Sequence, residues 1–114
     1  MKLDEIIKQL DLKLLTKSED FSGSNLNIGY VSDMLSCVMT GARQHSIWVT
    51  LQAHNNIVAV ACLLDIAAVI ITESAMPDAD TIKKANEEGV VLLSSEANSF
   101  HVVGKLWELG LRDK

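Results

Sequence analysis

The 114-residue sequence predicts an α/β protein with a mainly parallel sheet covered by helices on its faces. Three observations carry that reading. From residue 28 onward, short apolar runs alternate with helical patterns in the order β-α-β-α-β-α-β-α. The connections are short crossovers, which imply parallel, right-handed units. Hydrophobic residues make up 48% of the chain but aromatics only 4%, so Val, Ile, Leu and Ala must build the core, as in strands buried on both faces. The segment Ser46 to Glu73 states the pattern most clearly: strand, polar turn, apolar helix, strand, one complete βαβ crossover.

Each element has its own signal. Leu3, Ile6, Ile7 and Leu10 recur at i, i+3, i+4, i+7 and predict a short amphipathic helix over 3–10. Leu12, Leu14 and Leu15 suggest a strand. Residues 17–27, rich in Ser, Asn and Gly, read as a polar loop and the most mobile segment. Ile28 to Val31 forms the next strand. Ser32 is expected to cap a helix with Asp33 in its first turn, an apolar face of Met34, Leu35, Val38 and Met39, and a stop at Gly41. Ile47 to Leu51 follows as a strand. Asn55 or Asn56 caps a helix at 57–64 that is apolar on nearly all sides, hence central or at a subunit contact. Ala67 to Thr72 is a continuous apolar strand. Pro77, Asp78 and Asp80 open a helix that Gly89 closes. Val90 to Leu93 is the last strand. Ser95 or Asn98 caps a final helix carrying Phe100, Val103, Leu106 and Trp107 and ending at Gly110.

Composition bounds the function classes. The length is that of one domain, spanning 1–114, which buries roughly two-thirds of the surface its unfolded chain exposes. The net charge is −5, and Lys and Arg are scattered without a basic face, which argues against nucleic acid and anionic membranes as partners. The N-terminus has acids inside its apolar pattern and is no signal peptide. The longest apolar run, Ile57 to Leu64, is far short of the ~20 residues that span a bilayer. The chain therefore reads as cytoplasmic. Cys37 and Cys62 sit in apolar patterns and are expected to be buried free thiols; the spacing supports no metal site.

In open parallel sheets, ligands bind outside the carboxyl ends of the strands. Four short polar segments fall there: Ser32-Asp33, Thr50 to Asn56, Thr72-Glu73-Ser74 and Ser94-Ser95. Helix N-termini follow each, so backbone N–H groups face the same space. The same residue types also cap helices, so capping alone is an equal reading of these segments. There is no G-x-x-x-x-G-K-[ST] loop, G-x-G-x-x-G, G-x-S-x-G, H-E-x-x-H or C-x-x-C in the chain. His45, His54 and His101 form no triad visible in sequence.

From Gly29 to Leu109 the chain resembles the DRTGG domain family, most closely its small stand-alone members. The carrying segments are Gly29 to Ser36, Trp48 to Ala61, Ile70-Ile71-Thr72 through Pro77, Glu88 to Ser94 and Gly104 to Leu109. The resemblance implies a three-layer α/β/α fold similar to the N-terminal domain of HPr kinase/phosphorylase. It also implies a regulatory or dimer-forming part, as in phosphotransacetylases and in pyrophosphatases with nucleotide-sensing modules. The kinase label that stand-alone members often carry does not apply, because kinase chemistry belongs to a separate P-loop domain. Stand-alone members tend to be encoded near iron hydrogenase subunits and anti-sigma-type ATPases, which implies a redox-linked setting. Two departures matter. The family's Thr-Gly-Gly turn is here Thr72-Glu73-Ser74, which replaces glycine freedom with bulk and a negative charge. The Asp-Arg pair is also missing; Gln52 to Asn56 stand in that region and supply no Arg.

The expectation is a non-catalytic regulatory or ligand-sensing domain, a homodimer that binds a small polar metabolite or nucleotide; no cofactor is named by the sequence. The expected lining is Asp33, Thr50, Gln52, His54, Asn55, Thr72 and Glu73. The alternative is an interaction module that docks on a redox, hydrogenase-type enzyme or a signalling ATPase. A third reading is an enzyme using His54 with Asp33 or Glu73 as acid and base.

Overall fold

The computed structural model describes all residues except Ser18, Ser22 and Ser24. The elements are α1 (Leu3–Gln9), β1 (Lys13–Leu14), β2 (Gly29–Val31), α2 (Leu35–Gly41), β3 (Ile47–Thr50), α3 (Asn56–Leu64), β4 (Ala68–Ile71), α4 (Ala79–Glu88), β5 (Leu92–Ser94) and α5 (Ser99–Glu108). They form one five-stranded sheet in the order β1-β5-β4-β3-β2. The strands β2 to β5 are parallel, as the crossover spacing predicts, and β1 closes the far edge antiparallel to β5.

Alternation along the central strands splits the core into two layers. Ile47, Val49, Ala68, Ile70, Val91 and Leu93 face α1 and α5, where they meet Leu3, Ile6, Val102 and Leu106. Trp48, Val69, Ile71 and Leu92 face α2, α3 and α4, where they meet Val38, Ile57, Val58, Ala61 and Ala85. The result is the three-layer α/β/α arrangement. Because β3 and β4 are covered on both faces, every residue of each is buried, which is why both read as unbroken apolar runs.

Several sequence expectations need correction. Helix α2 starts later than Ser32: the Ser32 hydroxyl accepts from the Met34 N–H at 3.1 Å, Met34 holds the cap position, and Asp33 lies outside the helix. Its apolar face is also narrower, since Val38 is buried whereas Met34 and Met39 are exposed. Gly41 belongs to the helix, and its role is close approach: a Cβ there would stand 2.5 Å from the Tyr30 hydroxyl oxygen. Leu51 is not in β3 because its N–H goes to the Asp33 carboxylate and not to the ladder. Strand β1 spans two residues only. Asp11 is left-handed at φ 51°, and the Leu12 N–H returns to the Ile7 carbonyl to close α1.

On α5 the buried residues are Val102 and Leu106, an i, i+4 pair, which turns Phe100 and Trp107 outward. Both cysteines are exposed and free, correcting the expectation of buried thiols. Desolvation, then the hydrogen bond to Glu88 and the charges of Glu88 and Asp65, raises Cys62 above its ordinary value, which disfavours the reactive thiolate. At the end of the 17–27 segment, Leu26 is buried and its N–H bonds to the Met1 carbonyl at 2.7 Å. Glycine stops are as read for α4, where Gly89 is left-handed at φ 71°.

Candidate functional site

Asp33, Thr50 and Gln52 come together at the carboxyl end of β3. The Thr50 hydroxyl and the Leu51 N–H both donate to Asp33 Oδ1 at 2.8 Å. The Gln52 N–H donates to the Thr50 hydroxyl at 3.1 Å, and the Gln52 amide reaches the Asp33 carbonyl at 3.3 Å. Thr50 is fully buried. These groups satisfy one another, and the set locks the loop after β2 onto the end of β3. His54 and Asn55 lie beyond it, exposed. Asn55 holds the N-cap position of α3 without a side-chain cap bond. His54 Nδ1 accepts from the Asn56 N–H at 3.4 Å. Among the described residues, His54 forms no ion pair with Asp33 or Glu73.

Asp78 is the N-cap of α4. The Thr81 N–H donates to the Asp78 carboxylate at 2.8 Å. That bond first, and the His54 charge as a smaller contribution, hold Asp78 below its ordinary value of 3.8. A depressed carboxylate contributes stability that is complete above its unfolded value and is lost as pH falls through its lower folded value. Acid unfolding monitored by circular dichroism below about pH 4 is therefore expected to flatten in Asp78→Asn, which keeps the cap without titrating.

Thr72 directly follows β4 and is fully buried. Its hydroxyl pairs with the Ser99 hydroxyl at 2.8 Å, tying β4 to the first turn of α5. Glu73 and Ser74 then both adopt left-handed conformations, at φ 59° and 56°. Both residues thus hold backbone conformations that favour glycine, although neither is Gly. The constraint is visible: the Glu73 N–H donates to the Ala97 carbonyl at 2.8 Å and the Ser74 N–H to the Ser95 carbonyl at 2.9 Å. Those N–H groups are consumed by the loop after β5 and are not free for a ligand. Left-handed backbone costs a non-Gly residue roughly 1–2 kcal/mol, offset by the roughly 0.5–1 kcal/mol of unfolded-state entropy that Gly adds. Glu73→Gly with Ser74→Gly is expected to raise the unfolding free energy by about 1 kcal/mol in total, read from urea midpoints.

The paired loops mark where the sheet changes winding. Helices α2, α3 and α4 lie on one face, but α5 leaves β5 for the opposite face. The chains leaving β4 and β5 thus part to opposite faces, with hydrogen bonds still joining the loops that follow them. An open cleft of about 700 Å³ lies at the carboxyl end of β5, between the α1–β1 connection and α5. Its floor holds Ser94 and Ser95, its rim Ser74 and Met76, and its walls Lys13 of β1 with His101 and Lys105 of α5. None of the seven expected lining residues borders it. The Ser94-Ser95 signal pointed to this strand end, but the path of α5 could not be read from spacing.

No group of three or more His, Cys, Asp or Glu side chains among the described residues could hold a metal ion. Among the described residues, no helix is long and apolar enough to cross a membrane.

A search of the solved structures returns the CBS and DRTGG domains of the regulatory region of Clostridium perfringens pyrophosphatase, complexed with the activator diadenosine tetraphosphate. The similarity has a TM-score of 0.71 at 17% identity. It covers 97% of this chain and 48% of that one, so the chain spans about half the length of its structural neighbour. No curated protein sequence matches. The family profile named DRTGG domain matches residues 5–109, nearly the whole fold described above, and the chain belongs to the DRTGG domain family.

Proposed function

We propose that this chain is a non-catalytic, ligand-sensing regulatory domain that takes a small polar ligand at the carboxyl ends of its strands. The observation that carries the reading is the cleft at the carboxyl end of β5, between the α1–β1 connection and α5. Its volume of about 700 Å³ lies within the ~300–1,000 Å³ of small-molecule sites. The structural neighbour's activator is a nucleotide, which puts nucleotides first among compounds to test. The neighbouring cluster of Asp33, Thr50 and Gln52, with His54, Asn55, Thr72 and Glu73, is the second place on the same sheet edge where a ligand would rest. A thermal-shift panel of nucleotides, acyl phosphates, flavin and nicotinamide cofactors tests the reading; silence across all classes contradicts it.

One observation favours a second reading, a docking module for a redox enzyme or a signalling ATPase. Phe100 is 90% and Trp107 52% exposed, and with Val103 they stand at i, i+3, i+7 along α5. Such a stripe suits a protein partner. Leu63, 69% exposed on α3, gives the homodimer reading a contact face. Sedimentation at high micromolar concentration decides it, since a strict monomer removes the dimer.

A further inference from the structure

A second groove lies at the opposite edge of the sheet from the cleft. It runs between β2 and α5, holds about 280 Å³, and is walled mainly by Val31, Val103, Leu106, Trp107 and Leu111. Val31 and Trp107 are each about half exposed there, at 48% and 52%. The Arg112 guanidinium stands 4.2 Å from the centre of the Trp107 ring. It also donates to the Trp107 and Leu111 carbonyls at 2.9 and 2.7 Å. That clasp holds the Trp107 ring in place at the groove.

The strand beside the groove adds an independent observation. β2 is the outermost strand of the sheet. Its ladder to β3 runs through Ile28, whose carbonyl accepts from the Ile47 N–H, and Ser32, whose N–H donates to the Val49 carbonyl. Alternation then turns the backbone groups of Gly29 and Val31 outward. The Gly29 N–H donates to the Arg112 carbonyl and the Arg112 N–H to the Asn27 carbonyl, both at 2.9 Å, which makes one parallel bridge of Ile28 with Arg112. Among the described residues nothing pairs with the Gly29 carbonyl, the Val31 N–H or the Val31 carbonyl. Three ladder groups are thus open beside an apolar groove, on an edge that already pairs with one extended residue.

Aligned residues of neighbouring strands point to the same face of a sheet. Val31 is aligned with Val49, whose side chain belongs to the core layer under α5. A residue aligned with Val31 on an added strand therefore aims its side chain at the groove. So does the residue two along, beside Gly29, where no side chain fills the space. Open edge groups give such a strand its hydrogen bonds, and a groove that takes alternate side chains gives it specificity. Ten residues line the groove, against roughly 20–30 a side in a stable interface between folded partners, so its area suits a peptide segment and not a second copy of the chain. We propose that the edge of β2 takes an extended segment of a partner protein, paired to Gly29 and Val31, with apolar residues at alternate positions seated between Val31, Val103 and Trp107. This inference names the partner in the docking reading and rests on that reading; it is independent of what the cleft at the end of β5 holds.

Two-dimensional NMR of the full chain, titrated with capped hexapeptides in which Val, Leu or Phe alternates with Thr, tests it. At least one peptide is expected to saturate and to shift the Val31 amide and the Trp107 indole. Val31→Pro removes an N–H that faces outward, a change an edge strand tolerates. It is expected to weaken binding at least tenfold and to leave the thermal midpoint within a few degrees. The peptide backbone supplies a second measurement on the unaltered chain. N-methylation of the amides along one edge of the peptide is expected to abolish binding, and along its other edge to leave it within a few-fold. Equal effects of the two methylation patterns, with the Trp107 indole still shifted by the unmethylated peptide, overturn the strand pairing and spare the docking face. A dimer in sedimentation that Val31→Pro dissociates gives the edge to a second copy and overturns the peptide as its occupant. No shift at Val31 or Trp107 from any peptide overturns the inference and the α5 docking face together.

Discussion

Trp48→Ala is expected to lower the unfolding free energy by about 3–5 kcal/mol, the range for truncating a large buried aromatic. Trp48 is fully buried between β3 and the layer of α2, α3 and α4. It also has a polar tie: its ring N–H donates to the Ser32 carbonyl at 2.9 Å. That contact fixes the loop whose next residue, Asp33, clasps Thr50 and Leu51. Truncation thus leaves a cavity, an unpaired carbonyl and a loosened strand end. Against a total of roughly 5–15 kcal/mol for a small domain, the loss brings the variant close to unfolding. Urea denaturation checks it: a midpoint shift at unchanged slope is the expected form. Trp48→Phe, which keeps most of the volume and loses the bond, should cost markedly less.

The second large effect is a gain. A ligand at a hundred times its dissociation constant adds about 2.7 kcal/mol to the folded state. At roughly 4 °C or more per kcal/mol for a domain near this length, the midpoint should rise by about 10 °C. The gain should persist in His54→Ala, because His54 lies outside the cleft at the end of β5. Loss of the gain in His54→Ala would return the site to the end of β3.

Much of the fold was legible because burial writes itself into periodicity. The runs Ile47–Thr50 and Ala68–Ile71 are covered on both faces and read as continuous apolar strands. Stops such as Gly89 are chemical requirements of a left-handed residue. Asp33 was misplaced for a different reason. An acid after Ser32 matches a helix start, and only the tertiary approach of Thr50 and Leu51 draws it away.

The site was legible in part. Polar segments at the strand ends, Ser94-Ser95 among them, marked the edge of the sheet on which the proposed cleft opens. One wall of the cleft depends on the face that α5 takes, and α5 packs across β2 and β3 on the side of the sheet away from α2, α3 and α4. No local pattern near Ser94 encodes that choice. The Glu73-Ser74 turn shows the same limit: its left-handed backbone is imposed by the Ala97 and Ser95 carbonyls and not by its own residues.

The central claim is that the cleft at the carboxyl end of β5 is the sensing site. Amide chemical-shift mapping of the full chain, titrated with whichever compound stabilises it most, tests that claim directly. The account predicts perturbations concentrated at Ser74, at Ser94 to Ala97 and along His101 to Lys105. Perturbations centred on Asp33 and on Gln52 to Asn55, with the β5 end unmoved, would contradict it.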